Sequence, residues 1–240
     1  MLRETKQFTE MIQRGRPTFM PLWRNWQTHM TQNHAGNHAG SSPASGIFLM
    51  LFYSHTVTPE REIMKNILII SSSPRKQGNS QILCEQFKKG AEAKGHQVKL
   101  VRIMEQKIGF CRACDSCMRN GGTCVLKDDM AEILEMFQKA DVLVLATPVY
   151  FYGISAQMKT FIDRTYPIWQ HLGKKDIYYI ISAGLGVDII ERSLGDLDGF
   201  VEHLEEYRIA GRLYAANVME AGLVKDQDIF KKAYDMGYAV

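Results

Sequence analysis

The sequence lacks both a long apolar run and a marked excess of charge of one sign. Its longest uninterrupted apolar run, residues 46–53, has eight residues, whereas a membrane-spanning helix needs about 18 or more. The formal net charge is +3, which is too small to indicate binding to nucleic acid. With 45% apolar and 23% charged residues, the composition is that of a soluble globular protein, and the predicted location is cytoplasmic.

The first 63 residues lack cysteine altogether and differ from the remainder of the chain. Residues 28–46 show no apolar periodicity, so we expect a disordered extension that cannot bury enough surface to offset its ordering entropy. Residues 47–53 have the length of a signal-peptide core, but no small-residue cleavage pattern follows them. Residues 23–46 resemble the conceptual translation of a transfer-RNA gene, and a strand pattern begins directly after Met64. Residues 1–63 are therefore interpreted as an over-long translation of the gene; a genuine extension that binds a partner is the alternative.

Residues 64–240 alternate between strand and helix patterns, which predicts a single domain. Strands are predicted over residues 66–71, 98–103, 141–147, 177–182 and 213–218. Helices are predicted over residues 79–94, 128–140, 155–166, 189–207 and 226–236. Because strands that alternate with helices pair in parallel through right-handed crossovers, we expect an α/β three-layer sandwich around a five-stranded parallel sheet.

Two groups of charged residues are explained by these helices alone. Asp128 and Asp129 stand at the start of the second helix, where acidic residues interact favourably with the helix dipole. The charged residues near the end of the fourth helix indicate a solvated helix face; they are Glu202, Glu205, Glu206 and Arg208.

The ligand site of such a sheet is expected at the carboxyl ends of its strands. The loop after the first strand, Ser72–Ser80, combines serine hydroxyls, the cationic Arg75 and the free amides of a helix start, which together suit a phosphate group. It has neither the glycine pattern of a dinucleotide-binding loop nor the Gly-Lys-Ser/Thr of a Walker loop. A polar turn that merely caps the helix is the alternative.

The loop after the third strand is aromatic, with Tyr150, Phe151 and Tyr152 between Pro148 and Gly153. Aromatic rings at this edge can cover a flat heterocycle, or they can simply cap the core. Together with the first loop and the following Lys-x-Phe-Ile-Asp-Arg164 segment, this pattern resembles the flavodoxin-like NAD(P)H-dependent FMN reductases. The resemblance covers most of residues 64–240, and the one departure in the first loop is Ser72 in place of a glycine.

The resemblance implies an FMN-dependent NAD(P)H oxidoreductase that passes electrons to a small-molecule or protein acceptor such as a quinone, a flavin or an iron–sulfur centre. By the same resemblance, the FMN phosphate would be held by Ser73, Arg75, Asn79 and Ser80. The isoalloxazine ring would be bordered by Pro148, Val149, Tyr150 and Phe151, with a third edge formed by Ser182, Ala183 and Gly184. Members of the family are typically dimers or tetramers, so a homo-oligomer is expected, with neither a nucleic acid nor a membrane as partner.

Four of the five cysteines fall within 14 residues, at Cys111, Cys114, Cys117 and Cys124. Without a credible signal peptide, clustered thiolates indicate a metal rather than a disulfide framework. Three cysteines at successive spacings of three resemble the binding pattern of a cubane iron–sulfur cluster more than the separated pairs of a zinc site. The spacing is also similar to that of the iron–sulfur flavoprotein branch of the family, which implies a [4Fe-4S] cluster. Zinc and free or redox-active thiols remain the alternatives.

Overall fold

The computed structural model describes residues 63–240, apart from the side chain of Gln170. The predicted disordered extension therefore lies outside the described residues except for its last residue, Ile63, and it stays a prediction. Within the described range, none of the helices combines the length and the apolar character that crossing a bilayer requires.

The core of the described chain is one parallel sheet. Its strands are β1 (Asn66–Ser71), β2 (Gln97–Arg102), β3 (Val142–Tyr150), β5 (Lys174–Ser182) and β6 (Glu206–Ala215), in the spatial order β2-β1-β3-β5-β6. A further strand, β4 (Gly153–Ile154), pairs antiparallel with the end of β3 over two residues. The five parallel strands confirm the prediction, and β4 is an addition to it. Because the strand order reverses between β1 and β3, the ligand crevice is expected outside these two strands.

Helices cover both faces of the sheet and complete the three layers. They are α1 (Asn79–Ala93), α2 (Ser116–Arg119), α3 (Met130–Lys139), α4 (Ala156–Arg164), α5 (Val187–Val201) and α6 (Asp228–Tyr238), with 3₁₀ turns at Ile103–Glu105, Tyr166–His171 and Leu223–Asp226. Alternate residues of a strand point to opposite faces. Accordingly, Ile67 and Ile69 pack with Phe87 of α1, whereas Leu68 and Ile70 belong to the core beneath α3, α4 and α5.

The fourth predicted helix is shorter than the sequence pattern indicated. α5 ends at Val201, whereas the helix was predicted to run to residue 207; strand β6 covers Glu206–Ala215, so it begins and ends earlier than the strand predicted over residues 213–218. Glu206 and Arg208, which were expected on a solvated helix face, lie in β6; Arg208 donates two hydrogen bonds of 2.8 Å to Asp176 of β5. The polar residues at the start of β6 show no alternating apolar pattern, so the sequence does not predict a strand there. They become part of a strand because they pair with the neighbouring strand β5.

The contact between α1 and α6 is close enough to require glycine in both helices. A Cβ atom at Gly90 would lie 2.0 Å from the carbonyl oxygen of Tyr234. A Cβ atom at Gly237 would lie 2.0 Å from the carbonyl oxygen of Phe87. Neither distance is possible without moving one helix backbone away from the other.

We expect Gly90→Ala to lower the free energy of unfolding by about 1–3 kcal/mol, because the new methyl group must push the two helices apart. Gly195→Ala in α5 is the matched control, since a Cβ atom there meets nothing within 4 Å. The control should gain up to about 1 kcal/mol from the higher helix propensity of alanine. Urea unfolding followed by circular dichroism measures both changes, and equal stability of the two variants would contradict the close packing.

Candidate functional site

The loop after β1 is a tight turn whose side chains fold back on its own backbone. Ser73 is buried, and its Oγ accepts a hydrogen bond of 3.3 Å from the backbone N–H of Arg75. A Cβ atom at Gly78 would lie 2.3 Å from the same Oγ atom, so only glycine leaves Ser73 in place. The side chain of Arg75 is exposed at the surface of the turn.

The first turn of α1 holds a buried hydroxyl group without a partner. Ser80 is fully buried, and its Oγ has no hydrogen-bond partner among the residues that the structure describes. No side chain caps this end of α1, where the first backbone N–H groups lack intrahelical acceptors and carry a partial positive charge. A phosphate group would supply acceptor oxygens both to the Ser80 hydroxyl and to these N–H groups. The residues present therefore fit the phosphate of a nucleotide such as FMN.

Asn79 stabilises the site from behind, because both the Nδ2 and the Oδ1 groups of its side chain already form hydrogen bonds to the protein backbone. Its Nδ2 group donates to the carbonyl oxygens of Val218 and Glu220 at 2.9 and 2.8 Å. Its Oδ1 atom accepts from the backbone N–H groups of Gly222 and Val224 at 2.9 and 3.5 Å. The side chain thus ties the start of α1 to the loop after β6.

The loops after β1 and β3 are joined by buried serine and threonine hydroxyls. The Oγ of Ser155 donates to the Oγ of Ser72 at 2.8 Å, and the backbone N–H of Ser155 donates to Oγ1 of Thr147 at 3.0 Å. Ser155 also caps α4 by accepting from the N–H of Met158 at 3.3 Å. Ser72, which replaces the glycine of the resembled pattern, is not among the residues with a positive φ, so serine fits there without backbone strain.

An aromatic hairpin closes the end of β3, and the sequence analysis missed it. Tyr150 of β3 pairs with Gly153 of β4, leaving Phe151 and Tyr152 as the two turn residues, with φ values of 47° and 66°. Bulky residues rarely adopt a positive φ, and such strain concentrates at functional sites. Phe151 is fully exposed and its two neighbours are also exposed, whereas Pro148 is buried. No Asn-Gly or Asp-Gly turn signal was there to predict the hairpin.

The loop after β5 supplies the third side of this edge. Ser182 and Ala183 are buried, and a Cβ atom at Gly184 would lie 2.9 Å from the Sδ atom of Met219. The backbone N–H of Ala183 donates to Ala215 at 2.8 Å, which ties the loop to β6. The structure therefore places all three predicted loops at the carboxyl edge of the sheet, on its central strands.

The cysteine-rich loop lies between β2 and α3, and an ion pair between Arg164 and Asp128 holds its two ends. The guanidinium of Arg164, which is only 2% exposed, donates to both carboxylate oxygens of Asp128 at 2.7 and 2.9 Å. Arg164 also donates to the carbonyl oxygen of Gly109 at 2.6 Å, and its Nη2 lies 3.6 Å from the Sγ of Cys124. Asp128 in turn accepts from the N–H of Gly109 at 2.9 Å.

This ion pair corrects the sequence interpretation of Asp128. A role at the start of α3 accounts for only part of its contacts: the N–H of Met130 donates to its Oδ1 at 3.3 Å, but its shorter side-chain hydrogen bonds come from Arg164 at the far end of α4. Hydrogen bonds from Arg164 hold the pKa of Asp128 below its ordinary value. The sequence offered one signal for this ion pair, the arginine that ends the Lys-x-Phe-Ile-Asp-Arg164 segment. The segment alone does not show which acidic residue pairs with that arginine.

The four clustered thiols share one cavity without forming a metal centre in this arrangement. Cys111 and Cys114 are exposed, and Cys117 and Cys124 are partly buried. Hydrogen bonds from Ser116 lower the pKa of Cys114, and burial raises that of Cys117. Among residues 63–240, no three His, Cys, Asp or Glu side chains are placed to hold one metal ion. All four thiols nevertheless line a single cavity of about 700 Å³, and four thiolates are the donor set of an iron–sulfur cluster.

Comparison with known proteins agrees with this geometry. A family model described as NADPH-dependent FMN reductase matches residues 65–196. An iron-sulfur flavoprotein of Archaeoglobus fulgidus is 38% identical over 120 residues, which are 49% of this chain and 54% of that protein. The chain thus spans about half the length of the curated relatives it matches.

Solved structures share the fold at low sequence identity. The NAD(P)H:quinone oxidoreductase from Methanothermobacter marburgensis superposes with a TM-score of 0.54 at 16% identity, covering 74% of this chain and 94% of that one. An FMN-dependent NADH-azoreductase from Bacillus anthracis, solved in complex with FMN, gives a TM-score of 0.54 at 15% identity, with coverages of 72% and 98%. At these identities the likeness concerns the fold alone.

We expect Arg164→Met to lower the free energy of unfolding by about 3 kcal/mol at neutral pH, because it removes the buried arginine and leaves the carboxylate of Asp128, whose side chain is only 14% exposed, without its main partner. The difference between wild type and variant should shrink as the pH falls below about 4, since a carboxyl group with a lowered pKa loses its stabilising effect when it is protonated. Urea unfolding at a series of pH values measures both effects.

Arg208→Met is the matched control for this prediction. Arg208 also forms a two-bond ion pair, with Asp176, but the side chain of Arg208 is 68% exposed, and Asp176 keeps a second cation because the Nζ of Lys65 lies 3.5 Å from its Oδ2. Pairs that involve an exposed cation contribute little to stability, so the control should lose much less than Arg164→Met. If both variants lose the same amount, the Arg164–Asp128 pair is not what holds the loop.

Proposed function

Because the chain belongs to the NADPH-dependent FMN reductase family, we propose that it binds FMN at the carboxyl edge of its sheet and acts as an NAD(P)H-dependent oxidoreductase. The family match runs from β1 through the first ten residues of α5, so it covers the loops after β1, β3 and β5. The relatives named iron-sulfur flavoprotein and the FMN-bound azoreductase of similar fold support the same assignment.

The observation that carries the proposal is the buried hydroxyl of Ser80, which finds no hydrogen-bond partner within residues 63–240 and lies at an uncapped helix start. A buried hydroxyl without a partner is costly, and a phosphate oxygen would satisfy it. Ser73 and Arg75 stand in the same turn, so they complete the proposed phosphate site. Asn79 belongs to the site as a brace, because its amide is already bonded to the loop after β6.

The ring of FMN would lie between the two remaining loops. The aromatic hairpin offers Tyr150 and Phe151, with Pro148 and Val149 at its base. The loop after β5 offers Ser182, Ala183 and Gly184 as the opposite border. Bound FMN would supply the redox chemistry, accepting a hydride from NAD(P)H and passing electrons to an acceptor. The protein would anchor the phosphate of FMN and hold its ring against one of these two loops.

A second candidate is an iron–sulfur flavoprotein that carries electrons through FMN and a [4Fe-4S] cluster without reacting directly with NAD(P)H. The shared cavity of Cys111, Cys114, Cys117 and Cys124 favours it, as do the names of the relatives. Arg164 would then hold the loop in place through Asp128 and Gly109. Binding a cluster requires the loop to close further, because no three of these thiols converge in the arrangement described.

The remaining predictions about partners rest on the family resemblance. A homo-oligomer, a cytoplasmic location and a quinone, flavin or iron–sulfur acceptor stay predictions of the sequence. They are not needed for the assignment of the FMN site, which depends on residues of one chain.

We expect Ser80→Ala to weaken FMN binding by about 10-fold or more, the effect of losing a hydrogen bond to a charged group. The FMN-free variant should be no less stable than FMN-free wild type, because the substitution removes a buried group that has no partner. Flavin fluorescence titration measures affinity, and urea unfolding measures stability.

Ser193→Ala is the matched control, because Ser193 is equally buried but already donates to the carbonyl oxygen of Ile190 at 2.7 Å. It should leave FMN affinity unchanged. If Ser80→Ala binds FMN as tightly as wild type, the phosphate does not lie at the start of α1.

Anaerobic mixing of the purified protein with NADPH or NADH separates the two candidate functions. If the protein is a reductase, NADPH or NADH should reduce the flavin, and the visible flavin absorbance should fall after mixing. If it is an electron carrier, the absorbance should persist until a reduced partner protein is added. Iron, sulfide and zinc analysis of the same sample tests the cysteine loop; a cluster gives about four irons per chain. A protein that neither contains nor takes up FMN would contradict both candidates.

A further inference from the structure

The base of the aromatic hairpin is anchored in the core, but its tip, the turn residues Phe151 and Tyr152, is not. Ile154 of β4 belongs to the buried cluster that also contains Ile190 and Leu197 of α5. Phe151 and Tyr152 are exposed, and both adopt a positive φ. Because bulky residues keep such a conformation only where surrounding contacts enforce it, the position of the tip depends on contacts outside the core.

Arg192 of α5 supplies a contact of this kind. The Cζ atom of its guanidinium lies 5.4 Å from the centre of the Tyr152 ring, a distance at which a cation and an aromatic ring attract each other. Asp196 stands one turn later on the same face of the helix, and its Oδ2 atom lies 3.8 Å from the position that a Cβ atom of Gly153 would occupy. One face of α5 therefore lies along the tip of the hairpin.

Helix α5 also begins at the third loop of the proposed site. Its first residue, Val187, stands three positions after Gly184, and Gly186 is its N-cap. The backbone N–H of Val218 donates to the carbonyl oxygen of Ala183 at 2.9 Å, which fixes this loop from the other side. The ring of FMN would lie between this loop and the hairpin, so one helix adjoins both of its borders. A tip that moved away from α5 would change the width of the space between them.

We propose that Arg192 is a positioning residue for the flavin ring: it holds Tyr152 against α5 and thereby keeps the backbone of Tyr150 and Phe151 at a fixed distance from the loop after β5. This inference rests on the proposed function and adds to the site a residue outside its three loops. A side chain that acts through Tyr152 affects the ring and not the phosphate, whose proposed site is the start of α1. Its removal should therefore weaken every ligand that carries the isoalloxazine ring, with or without a phosphate.

A second cation–π pair in the chain provides a matched control. The Cζ atom of Arg212 in β6 lies 5.5 Å from the centre of the Tyr179 ring, and Arg212 also donates to Asp198 of α5 at 3.1 Å. Neither Arg212 nor Tyr179 belongs to the loops after β1, β3 and β5. Arg192→Gln and Arg212→Gln therefore remove the same charge and the same kind of contact, but only the first removes it from the hairpin.

The test compares the binding of FMN with that of riboflavin, which has the same ring but no phosphate, by flavin fluorescence titration of the full chain. Arg192→Gln should weaken the binding of both flavins about two- to fivefold, the effect of losing a cation–π contact at an exposed site. Arg192→Lys keeps a cation on the same helix face, so it should restore the affinity for both flavins. Arg212→Gln should match wild type.

Two further measurements test the contact itself. Tyr152→Leu should weaken both flavins to a similar degree, and adding Arg192→Gln to it should have no further effect, because the partner of the cation is already gone. In the FMN-free protein, hydrogen exchange of residues 148–154 should be about two- to fivefold faster in Arg192→Gln than in wild type, since the tip leaves α5 more often. Arg212→Gln should leave this exchange unchanged.

Unchanged riboflavin affinity in Arg192→Gln would overturn the proposal, and a loss for FMN alone would show that the arginine acts on the phosphate charge instead. Additive losses in the double variant would equally overturn it. These outcomes are distinct from failure of the proposed function: wild type that binds neither flavin contradicts that function, whereas wild type that binds both while Arg192→Gln does so equally well contradicts only the positioning role.

Discussion

The parallel pairing of the five long strands is the constraint on which the candidate site depends. Strands that run in one direction end at one edge of the sheet, so the loops after β1, β3 and β5 meet there although about 110 residues of chain separate the first from the last. The reversal of strand order between β1 and β3 opens a crevice at this edge. Each loop brings a different component: a helix start with a buried hydroxyl, an aromatic hairpin, and a backbone edge tied to β6.

Helix α4 connects this edge to the cysteine loop. Ser155 caps its first turn and bonds to Ser72 at the phosphate loop, whereas Arg164 ends it and bonds to Asp128 and Gly109. Its nine residues rise by about 14 Å. One short helix, anchored at both ends, therefore links the phosphate loop to the cysteine loop.

The sequence predicted the core of the fold well and the ends of its elements poorly. Buried strands such as β1 were predicted because a continuous apolar run bounded by serine, proline and glycine has few other interpretations. The start of β6 was not, since Glu206 and Arg208 become strand residues only by pairing with Lys174 and Asp176 of the neighbouring strand. The aromatic hairpin was missed for a related reason: Phe151 and Tyr152 adopt a positive φ against their own preference.

By itself, the amino-acid sequence determined the α/β class, the loops that form the candidate site and the cluster of four cysteines, because apolar periodicity and local motifs are properties of neighbouring residues. Tertiary structure decided which side chains are already engaged: Asn79 bonds to the loop after β6, Asp128 pairs with Arg164, and the hydroxyl of Ser80 has no partner in the part of the chain that the structure describes. These outcomes depend on atoms that are distant in the chain, and hydrogen bonding over such separations is set only when the layers have packed.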